Sequence, residues 1–307
     1  MKHHIPVLLD EVIELLDIKP EGIYMDCTVG FGGHSQAILN KLNSKGKLLG
    51  LDLDPYALKE SKNKLTQLNK NVSLHNCCYS VFPQILEKVG INKVDGFLFD
   101  LGISSYQIDS THRGFSYMRN GPLDMRFNND DNKIKTASDI INSISEQKLS
   151  NVLKAYSDIK EHSRIAKSII RYREKKIITS TKDLKEAICN ALPYENCKKL
   201  SQVFQAIRIL VNNEIEKLKT TLKRAVEHLS LGGKIAVISF HSIEDRIIKH
   251  FFKNKVIYKD SSYDVEFSCS NIELKVLTKK PIIESLKNIK RNSRSRSAKL
   301  RVAERIK

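Results

Sequence analysis

The sequence lacks the features of membrane-spanning, secreted and metal-binding proteins. No apolar run approaches the roughly 18 consecutive residues that a membrane span needs. The N-terminal stretch MKHHIPVLLDEVIELL is interrupted early by carboxylates and lacks the order of basic segment, apolar segment and cleavage site of secretory signals. The six cysteines form no C-x-x-C pair and have no zinc-ligand spacing, so reduced thiols are expected. These absences predict a cytoplasmic protein with no metal and no membrane partner.

Negative charge is also scarce relative to positive charge. Lys and Arg number 52 against 35 Asp and Glu, which gives a formal net charge of +17. Such an excess favours a polyanionic partner, with nucleic acid first and a membrane surface second. The stretch KNIKRNSRSRSAKLRVAERIK concentrates arginine, the better phosphate-binding side chain, at Arg291, Arg294, Arg296, Arg301 and Arg305. On charge alone, both a nucleic-acid-binding segment and a disordered basic tail remain open.

Strands and helices alternate regularly over the first hundred residues. Apolar strands are predicted at 23–29, 47–54, 71–77 and 94–101, and helices at 32–42, 55–68 and 81–90 lie between them. Single helices between successive strands imply right-handed crossovers. The pattern therefore predicts an α/β fold with a parallel sheet covered on both faces.

The alternation is interrupted in the middle of the chain. Residues 106–135 are rich in turns, and the periodicity is helical from Thr136 to about Leu192. One long helix at 201–229 is then expected to lead into the buried strand KIAVISF at 234–240. We therefore predict a core at 1–107, a mainly helical insertion domain for substrate recognition at 108–200, and the second part of the core with its basic tail at 201–307.

A glycine-rich turn, DCTVGFGGH (26–34), follows the first predicted strand. Such a turn lets backbone approach a ligand closely, and Asp52, at the end of the second strand, can accept both hydroxyls of a ribose. The dinucleotide fingerprint would need a glycine where Gln36 stands. An acid before the turn, here Asp26, is instead usual in methyltransferases that bind S-adenosylmethionine. The pattern favours S-adenosylmethionine over a dinucleotide.

Polar residues follow three other predicted strands, at the edge where open parallel sheets bind ligands. Tyr79 follows the third strand and could stack on adenine, although an aromatic there is more often part of the core. Asp100 ends the fourth strand, and His241 follows KIAVISF and is expected at the same edge. Ser242 and Asp245 have the spacing of a capping box for the next helix, which would explain them without function.

The segment RGFSYMRNGPLDMRF (113–127) interleaves arginines with aromatic residues. Arg113, Arg119 and Arg126 in such a setting suit unpaired RNA, in which bases stack on rings and guanidinium groups hold phosphate. The alternative is a loop that packs its own aromatic side chains beneath it. The sequence leaves both open.

Seven ordered blocks resemble one family. They are HIPVLLDEV, TVGFGGHS, DLGISSYQID, RGFSYMRNGPLDMRF, FQAIRILVNNE, SFHSIEDR and RSRSAKLRVAERI, spread over residues 4–306. Together they are similar to the MraW family of bacterial 16S ribosomal RNA cytosine N4-methyltransferases. The resemblance implies a class I Rossmann-like core with a helical insertion, S-adenosylmethionine as methyl donor, and a cytidine in helix 44 at the decoding centre of the small ribosomal subunit as acceptor. A homodimer is also compatible with it.

The resemblance also implies a set of cofactor contacts. In this sequence they fall on Gly32, Gly33, His34, Asp52, Tyr79, Asp100 and Gln107. The family commonly has Phe at the position of Tyr79, a conservative change for stacking. Further departures lie at 156–159, 198–203 and Ser293, in the insertion and tail rather than in the cofactor loop.

The chemistry expected at this edge is transfer of a methyl group to an exocyclic amino nitrogen. Asp100 is the candidate for orienting that nitrogen, and Ser104, Ser105 and His241 are candidate contacts to the base. Many amino-methyltransferases have a proline-containing turn here, whereas residues 100–103 are Asp-Leu-Gly-Ile. The alternatives are a DNA amino-methyltransferase, an NAD-dependent oxidoreductase, and a non-catalytic ribosome-binding factor on a methyltransferase fold.

Overall fold

The computed structural model describes residues 6–68, 71–192, 197–253 and 273–307. Within these ranges no helix combines the length and apolar character needed to cross a membrane. The chain divides into two compact units. The first unit comprises residues 1–102 and 216–307, and the second unit comprises residues 103–215.

A single mixed sheet forms the centre of the first unit. Its strands are β1 (Ile23–Asp26), β2 (Lys47–Asp52), β3 (Val72–Asn76), β4 (Val94–Asp100), β5 (Leu229–Ser239), β6 (Leu274–Val276), β7 (Ile282–Ile283) and β8 (Lys299–Arg305). The order is β3-β2-β1-β4-β5-β8-β6, and β7 also pairs with β8. The pairings from β3 to β5 are parallel, whereas β8 is antiparallel to β5. The predicted α/β class with a Rossmann-like parallel core is confirmed.

The helices are α1 (Leu9–Leu16), α2 (Gly33–Lys41), α3 (Pro55–Thr66), α4 (Phe82–Lys88), α5 (Ser105–Asp109), α6 (Ala137–Ser143), α7 (Glu146–Ser157), α8 (His162–Arg173), α9 (Thr181–Cys189), α10 (Cys197–Asn212), α11 (Glu214–Glu227), α12 (Ser242–Phe252) and α13 (Leu286–Arg291). Local signals fix several starts. Asp54 caps α3 by accepting from the amides of Tyr56 and Ala57, and Pro55 occupies the first turn, where its missing amide costs nothing.

Alternating side chains on the strands build an apolar core on each face of the sheet. Met25 and Phe97 belong to the cluster that includes residues of α4, α11 and α12. Tyr24 and Leu98, their neighbours in sequence, belong to the cluster that includes residues of α1, α2 and α3. This alternation is what the strand period of two residues requires for a sheet covered on both faces.

The second unit has a core of its own, made by helices α6 to α10. Its bounds at Ile103 and Ile215 differ from the predicted insertion at 108–200. The difference at the C-terminal bound has a clear reason. Leu200, Val203, Phe204, Ile207 and Val211, all on α10, belong to the apolar core of the second unit, so α10 is part of this unit.

The single helix predicted at 201–229 is wrong. The chain forms α10 and α11 with a break at Asn213, whose φ is +50°. Arg208 donates from Nε and Nη2 to the two carboxylate oxygens of Glu214 at 2.8 and 2.9 Å. The side chain of Asn212 donates to the Met125 carbonyl oxygen (2.8 Å) and accepts from the Phe127 amide (2.9 Å). These bonds hold the two helix ends around the break.

The basic C-terminal stretch is an ordered part of the first unit, so the disordered-tail alternative is wrong for 287–307. Its second half is β8, which lies between β5 and β6. Arg301 is buried and donates to Asp245 at 2.6 Å. Arg305 donates to the Leu229 carbonyl oxygen at 2.7 Å. Two of the five arginines therefore serve the fold rather than a polyanion.

Candidate active site

The glycine-rich turn joins β1 to α2 in backbone conformations that favour glycine. Gly30 has φ +52° and Gly32 has φ +75°, both in the left-handed region. Gly33 is the first residue of α2, and a Cβ atom there would lie 2.3 Å from Cγ of Pro6. The segment that precedes α1 therefore packs directly against the start of α2, and only glycine leaves room for it.

Asp26, at the end of β1, ties this turn to α2. Its carboxylate is buried and accepts from the Ser35 hydroxyl at 2.6 Å and from the Thr28 amide at 3.1 Å. Burial raises the pKa of Asp26 to about 6, and the two hydrogen bonds oppose that rise. The Asp26 carboxylate thus links the backbone of the turn to the first turn of α2.

Asp52, the predicted ribose contact, lies at the end of β2 and holds the turn from the other side. Oδ2 accepts from the Gly30 amide at 2.7 Å, and Oδ1 accepts from the Asp54 amide at 2.8 Å. Burial raises the pKa of Asp52 to about 6, against the effect of these two bonds. Each carboxylate oxygen has two lone pairs, so these bonds leave acceptor capacity for a ligand hydroxyl.

Asp100 ends β4 beside β1, and its own amide donates to the Thr28 hydroxyl at 2.6 Å. Its side chain is 18% exposed. Oδ1 is buried and has no hydrogen-bond partner among the described residues. Burial, with the nearby charges of Asp26 and Glu244, raises the pKa of Asp100 to about 8. An unpartnered carboxyl oxygen is costly, which makes it a candidate ligand contact.

His34 lies against Asp100, so the structure brings together these two predicted site residues. Its Nδ1 is 3.7 Å from Asp100 Oδ2, and its Nε2 lies 2.9 Å from the Val7 carbonyl oxygen. Because a carbonyl oxygen only accepts, Nε2 carries the hydrogen in this arrangement. The nitrogen facing Asp100 is therefore the one whose protonation changes between the neutral and the charged ring.

His241 follows β5 and is the N-cap of α12, which corrects the predicted Ser242–Asp245 capping box. Its Nδ1 accepts from the Glu244 amide at 3.4 Å. Asp245 instead pairs with Arg301 and Lys299. Since Nδ1 accepts, the ring hydrogen lies on Nε2 in the neutral imidazole. That buried Nε2 lies within ion-pair distance of the Glu244 carboxylate but without hydrogen-bond geometry.

Glu244 is a site residue that the sequence reasoning missed. It is buried, Oε2 accepts from the Phe240 amide at 3.0 Å, and Oε1 lies 3.2 Å from His241 Nε2. Its charge is also one of the causes of the raised pKa of Asp100. Glu244 is the third residue of α12, three positions after the capping residue His241. An acid at that position is a common helix-start signal and could have identified it.

Tyr79 begins a 3₁₀ turn after β3 and packs against the core of the first unit. Its ring meets that of Phe99 edge to face, with centroids 5.9 Å apart. This packing agrees with the interpretation of Tyr79 as a core residue, and stacking on adenine stays a prediction.

Ser104, Ser105 and Gln107 belong to the second unit, where they begin α5. Ser104 Oγ accepts from the Gln107 amide at 3.2 Å, and Gln107 Oε1 accepts from the Ser104 amide at 3.0 Å. This is a reciprocal capping box. Ser104 and Gln107 therefore have a structural role in starting the helix that the sequence analysis did not anticipate.

The arginine–aromatic segment follows the alternative in which the loop packs on itself. Arg113 is buried and donates to the Arg126 and Phe127 carbonyl oxygens at 3.1 and 2.7 Å. Arg126 forms a two-bond pair with Asp124, at 2.9 and 2.7 Å. Phe115 stacks on Phe127 with centroids 5.9 Å apart. Both buried arginines are committed to the fold, which contradicts a direct RNA-holding role for them.

The acidic side chains of this edge lie within the described part of the chain. No group of three or more His, Cys, Asp or Glu side chains there could hold a metal ion. Asp26, which is buried, and Asp52 and Asp100, which are half-buried, instead lie at one edge of the sheet, where they end strands that are adjacent in space. Buried carboxylates beside open glycine backbone suit a ligand that carries both positive charge and hydroxyl groups.

Comparisons with known proteins agree with this arrangement. The profile of the MraW methylase family matches residues 1–306. The chain is 44% identical to the protein named ribosomal RNA small subunit methyltransferase H from Caldicellulosiruptor saccharolyticus, with 100% of each chain covered. It is 43% identical to the protein of the same name from Clostridium botulinum strain Kyoto, with 99% of each covered.

These matches extend over the loop, the strand ends and both units alike. Methylases of this fold take the methyl group from S-adenosylmethionine, so the predicted cofactor is confirmed. The predicted family is confirmed as well. The chain belongs to the MraW methylase family.

Proposed function

We propose that the protein transfers a methyl group from S-adenosylmethionine to the exocyclic N4 of a cytidine in helix 44, at the decoding centre of 16S rRNA. Two relatives that cover the whole chain are named small-subunit rRNA methyltransferases, and this supports an rRNA substrate. The observation that carries the proposal is the buried, unpartnered Oδ1 of Asp100 beside the glycine turn. The substrate also implies a cytoplasmic protein.

The residues of the turn fit the cofactor. S-adenosylmethionine, when bound, supplies an electrophilic methyl group on a positively charged sulfonium. Asp26 is buried and Asp100 is half-buried, and desolvation raises the pKa of each carboxyl group by disfavouring its ionised form. A cation stabilises such carboxylates. Asp52 would hold ribose hydroxyls, Gly32, Gly33 and His34 would line the turn, and Tyr79 would lie against the base of the cofactor.

Asp100 is the group best suited to orient the target nitrogen. The lone pair of a cytosine amino group is delocalised into the ring, so the nitrogen is a weak nucleophile. A carboxylate that accepts an amino hydrogen makes the lone pair more available and fixes its direction. The proton can leave after transfer, so no strong base is required. Ser104 and Ser105 remain candidate contacts to the base.

His241 would act as a donor rather than an acceptor. Its Nδ1 accepts from the Glu244 amide, and its Nε2 lies 3.2 Å from Glu244 Oε1, so donation from Nε2 to an acceptor atom of the base would replace or share that contact. Cytosine offers both an amino donor and ring acceptors on one edge. Asp100 and His241, which follow neighbouring parallel strands, would provide the matching acceptor and donor.

Methyl transfer by purified protein tests this function. Small ribosomal subunits from cells that lack the gene would be incubated with labelled S-adenosylmethionine, and the modified nucleoside would be identified after digestion. We expect N4-methylation of one cytidine by the wild type and loss of transfer in Asp100→Ala. Normal transfer by Asp100→Ala with unchanged cofactor affinity would remove the role assigned to Asp100. A labelled nucleoside other than cytidine would contradict the proposal itself.

A further inference from the structure

A dense group of cations covers α13 and the 3₁₀ turn that follows it. We propose that this α13 surface, formed by Lys287, Lys290, Arg291, Arg294 and Arg296, binds the phosphate backbone of the RNA that presents its base to Asp100. The inference rests on the proposed function and adds the surface that the RNA backbone contacts. It also transfers the predicted RNA contact from Arg113 and Arg126, which are buried, to side chains that are exposed.

The charge of the α13 surface is not balanced by its own segment. All five side chains are exposed, and no Asp or Glu occurs from residue 285 to residue 303. The acid just before the segment, Glu284, is buried and accepts from the amides of Leu8 (3.1 Å) and Ser285 (2.9 Å) and from the Asn288 side chain (2.9 Å). A cluster of exposed cations in a segment that carries no acid of its own attracts a polyanion.

The cations stand on an ordered support. Ser285 caps α13 by accepting from the Asn288 amide, and the Asn292 side chain accepts from the Arg294 amide at the next turn. Ser295 and Ala298 are buried beneath the surface. Binding to a surface that is already folded costs less conformational entropy than ordering a flexible tail.

The position of the surface in the first unit connects it with the site. β8 begins at Lys299, which pairs with Ser239 at the end of β5 in an antiparallel arrangement. The start of β8 therefore lies at the same edge of the sheet as the ends of the parallel strands. Glu284 also binds Leu8, and the neighbouring Val7 carbonyl oxygen accepts from His34. A short chain of contacts thus joins the α13 surface to the glycine turn.

An anionic membrane is the other polyanion that such a surface could meet, because Ile283 and Leu286 nearby are 64% and 80% exposed. Two apolar side chains bury little area, whereas three arginine forks match RNA phosphates well. A second basic face exists on α8, where Arg164, Lys167 and Arg171 are exposed at helical spacing. It lies in the second unit and is the alternative location for RNA binding.

Salt-dependent RNA binding tests the proposal. The α13 variant combines Lys287→Gln, Lys290→Gln and Arg291→Gln, and the probe is a small-subunit rRNA fragment that contains the target. Each phosphate contact contributes about 0.7 to the slope of log K against log salt for single-stranded RNA, so three lost contacts should reduce the slope by about 2. Between about 50 and 200 mM salt, the wild type should therefore lose about 20-fold more affinity than the variant.

Two matched variants remove the same charge elsewhere. The α3 variant, Lys59→Gln with Lys62→Gln and Lys64→Gln, takes three exposed lysines from a helix of the first unit and should keep the wild-type slope. The α8 variant changes Arg164, Lys167 and Arg171 to Gln in the second unit. A slope lowered in the α8 or α3 variant but unchanged in the α13 variant would overturn the proposal.

Three further readouts separate the possible failures. Calorimetric affinity for S-adenosylmethionine should be unchanged in the α13 variant, which verifies that it is folded. If the wild type methylates the rRNA and the α13 variant keeps the wild-type slope, the proposal that the α13 surface binds RNA is wrong, and the proposed function stands. If the wild type neither binds nor methylates the rRNA, the proposed function itself fails. Charge-dependent binding of the α13 surface to anionic phospholipid vesicles but not to RNA would assign it to a membrane instead.

Discussion

Binding of S-adenosylmethionine should release a proton from Asp100 near neutral pH. The pKa of Asp100 is about 8 because the side chain is buried near Asp26 and Glu244. At pH 7 a group with that pKa is about nine-tenths protonated. A bound cation favours the carboxylate, so saturation should release up to about 0.9 proton at pH 7. Below pH 8 the affinity should then rise by up to about tenfold per pH unit.

Isothermal titration calorimetry measures this release directly. Titrations at one pH in two buffers of different ionisation enthalpy give the number of protons exchanged. Asp100→Asn keeps the size of the side chain without a titrating group, so the difference between wild type and variant isolates Asp100. The amino group of the cofactor contributes equally to both proteins, and Asp26 and Asp52, with pKa values of about 6, are largely ionised already at pH 7.

The ligand-free protein gives an independent check with a definite sign. The raised pKa means that the folded state holds the Asp100 proton more tightly than the unfolded state does. The stability contribution of this proton is therefore complete below about pH 4, and it declines as the pH rises from about 4 to 8, by at most about 1.4 kcal/mol per unit. Asp100→Asn should remove that part of the slope. Equal buffer-dependent heats and equal pH slopes in wild type and variant would refute the reasoning.

Three substitutions test the local geometry by chemical denaturation. Gly33→Ala brings a Cβ atom against Pro6 and should lower the free energy of unfolding by about 1–3 kcal/mol. An unchanged free energy of unfolding would mean that the segment before α1 can shift without cost. Arg126→Ala leaves the half-buried Asp124 carboxylate without its arginine partner and should cost about 1–3 kcal/mol, and a loss well under 1 kcal/mol would contradict its structural role. Asn213→Ala should cost about 1 kcal/mol because φ is +50°, while Asn213→Gly should not.

The sheet and its ligand-binding edge could be predicted from the sequence because their signals are local. Each parallel strand is a short apolar run, and each is followed by a helix with its own start signal, such as Asp54 and Pro55 before α3. The glycine turn and Asp52 also lie where the strand ends must meet in such a sheet. Local periodicity and turn chemistry therefore sufficed for this part of the fold.

The roles of several basic residues could not be predicted because they depend on contacts between distant parts of the chain. Arg301 is buried by pairing with Asp245, 56 residues away, and nothing near it in sequence distinguishes it from the exposed Arg296. Arg113 donates from Nη2 to two carbonyl oxygens that only the folded loop brings together. The sequence shows how many basic side chains there are, whereas their burial in the folded chain determines which of them can contact a polyanion.

The break between α10 and α11 could not be predicted from the sequence either. Both helices keep an apolar face, so the helical period runs through Asn213 without a glycine or proline to mark the end. The bonds of Asn212 to Met125 and Phe127 join residues 87 and 85 positions apart. His241 as an N-cap was missed for a related reason, since the adjacent Ser242 is the more usual capping residue.

The most direct test of the proposed function is the nucleoside composition of 16S rRNA in cells that lack this gene. Mass spectrometry should find N4 methylation lost from one cytidine of helix 44, restored by the wild-type gene and not by Asp100→Ala. Unchanged methylation of that cytidine in the deletion strain would contradict the account.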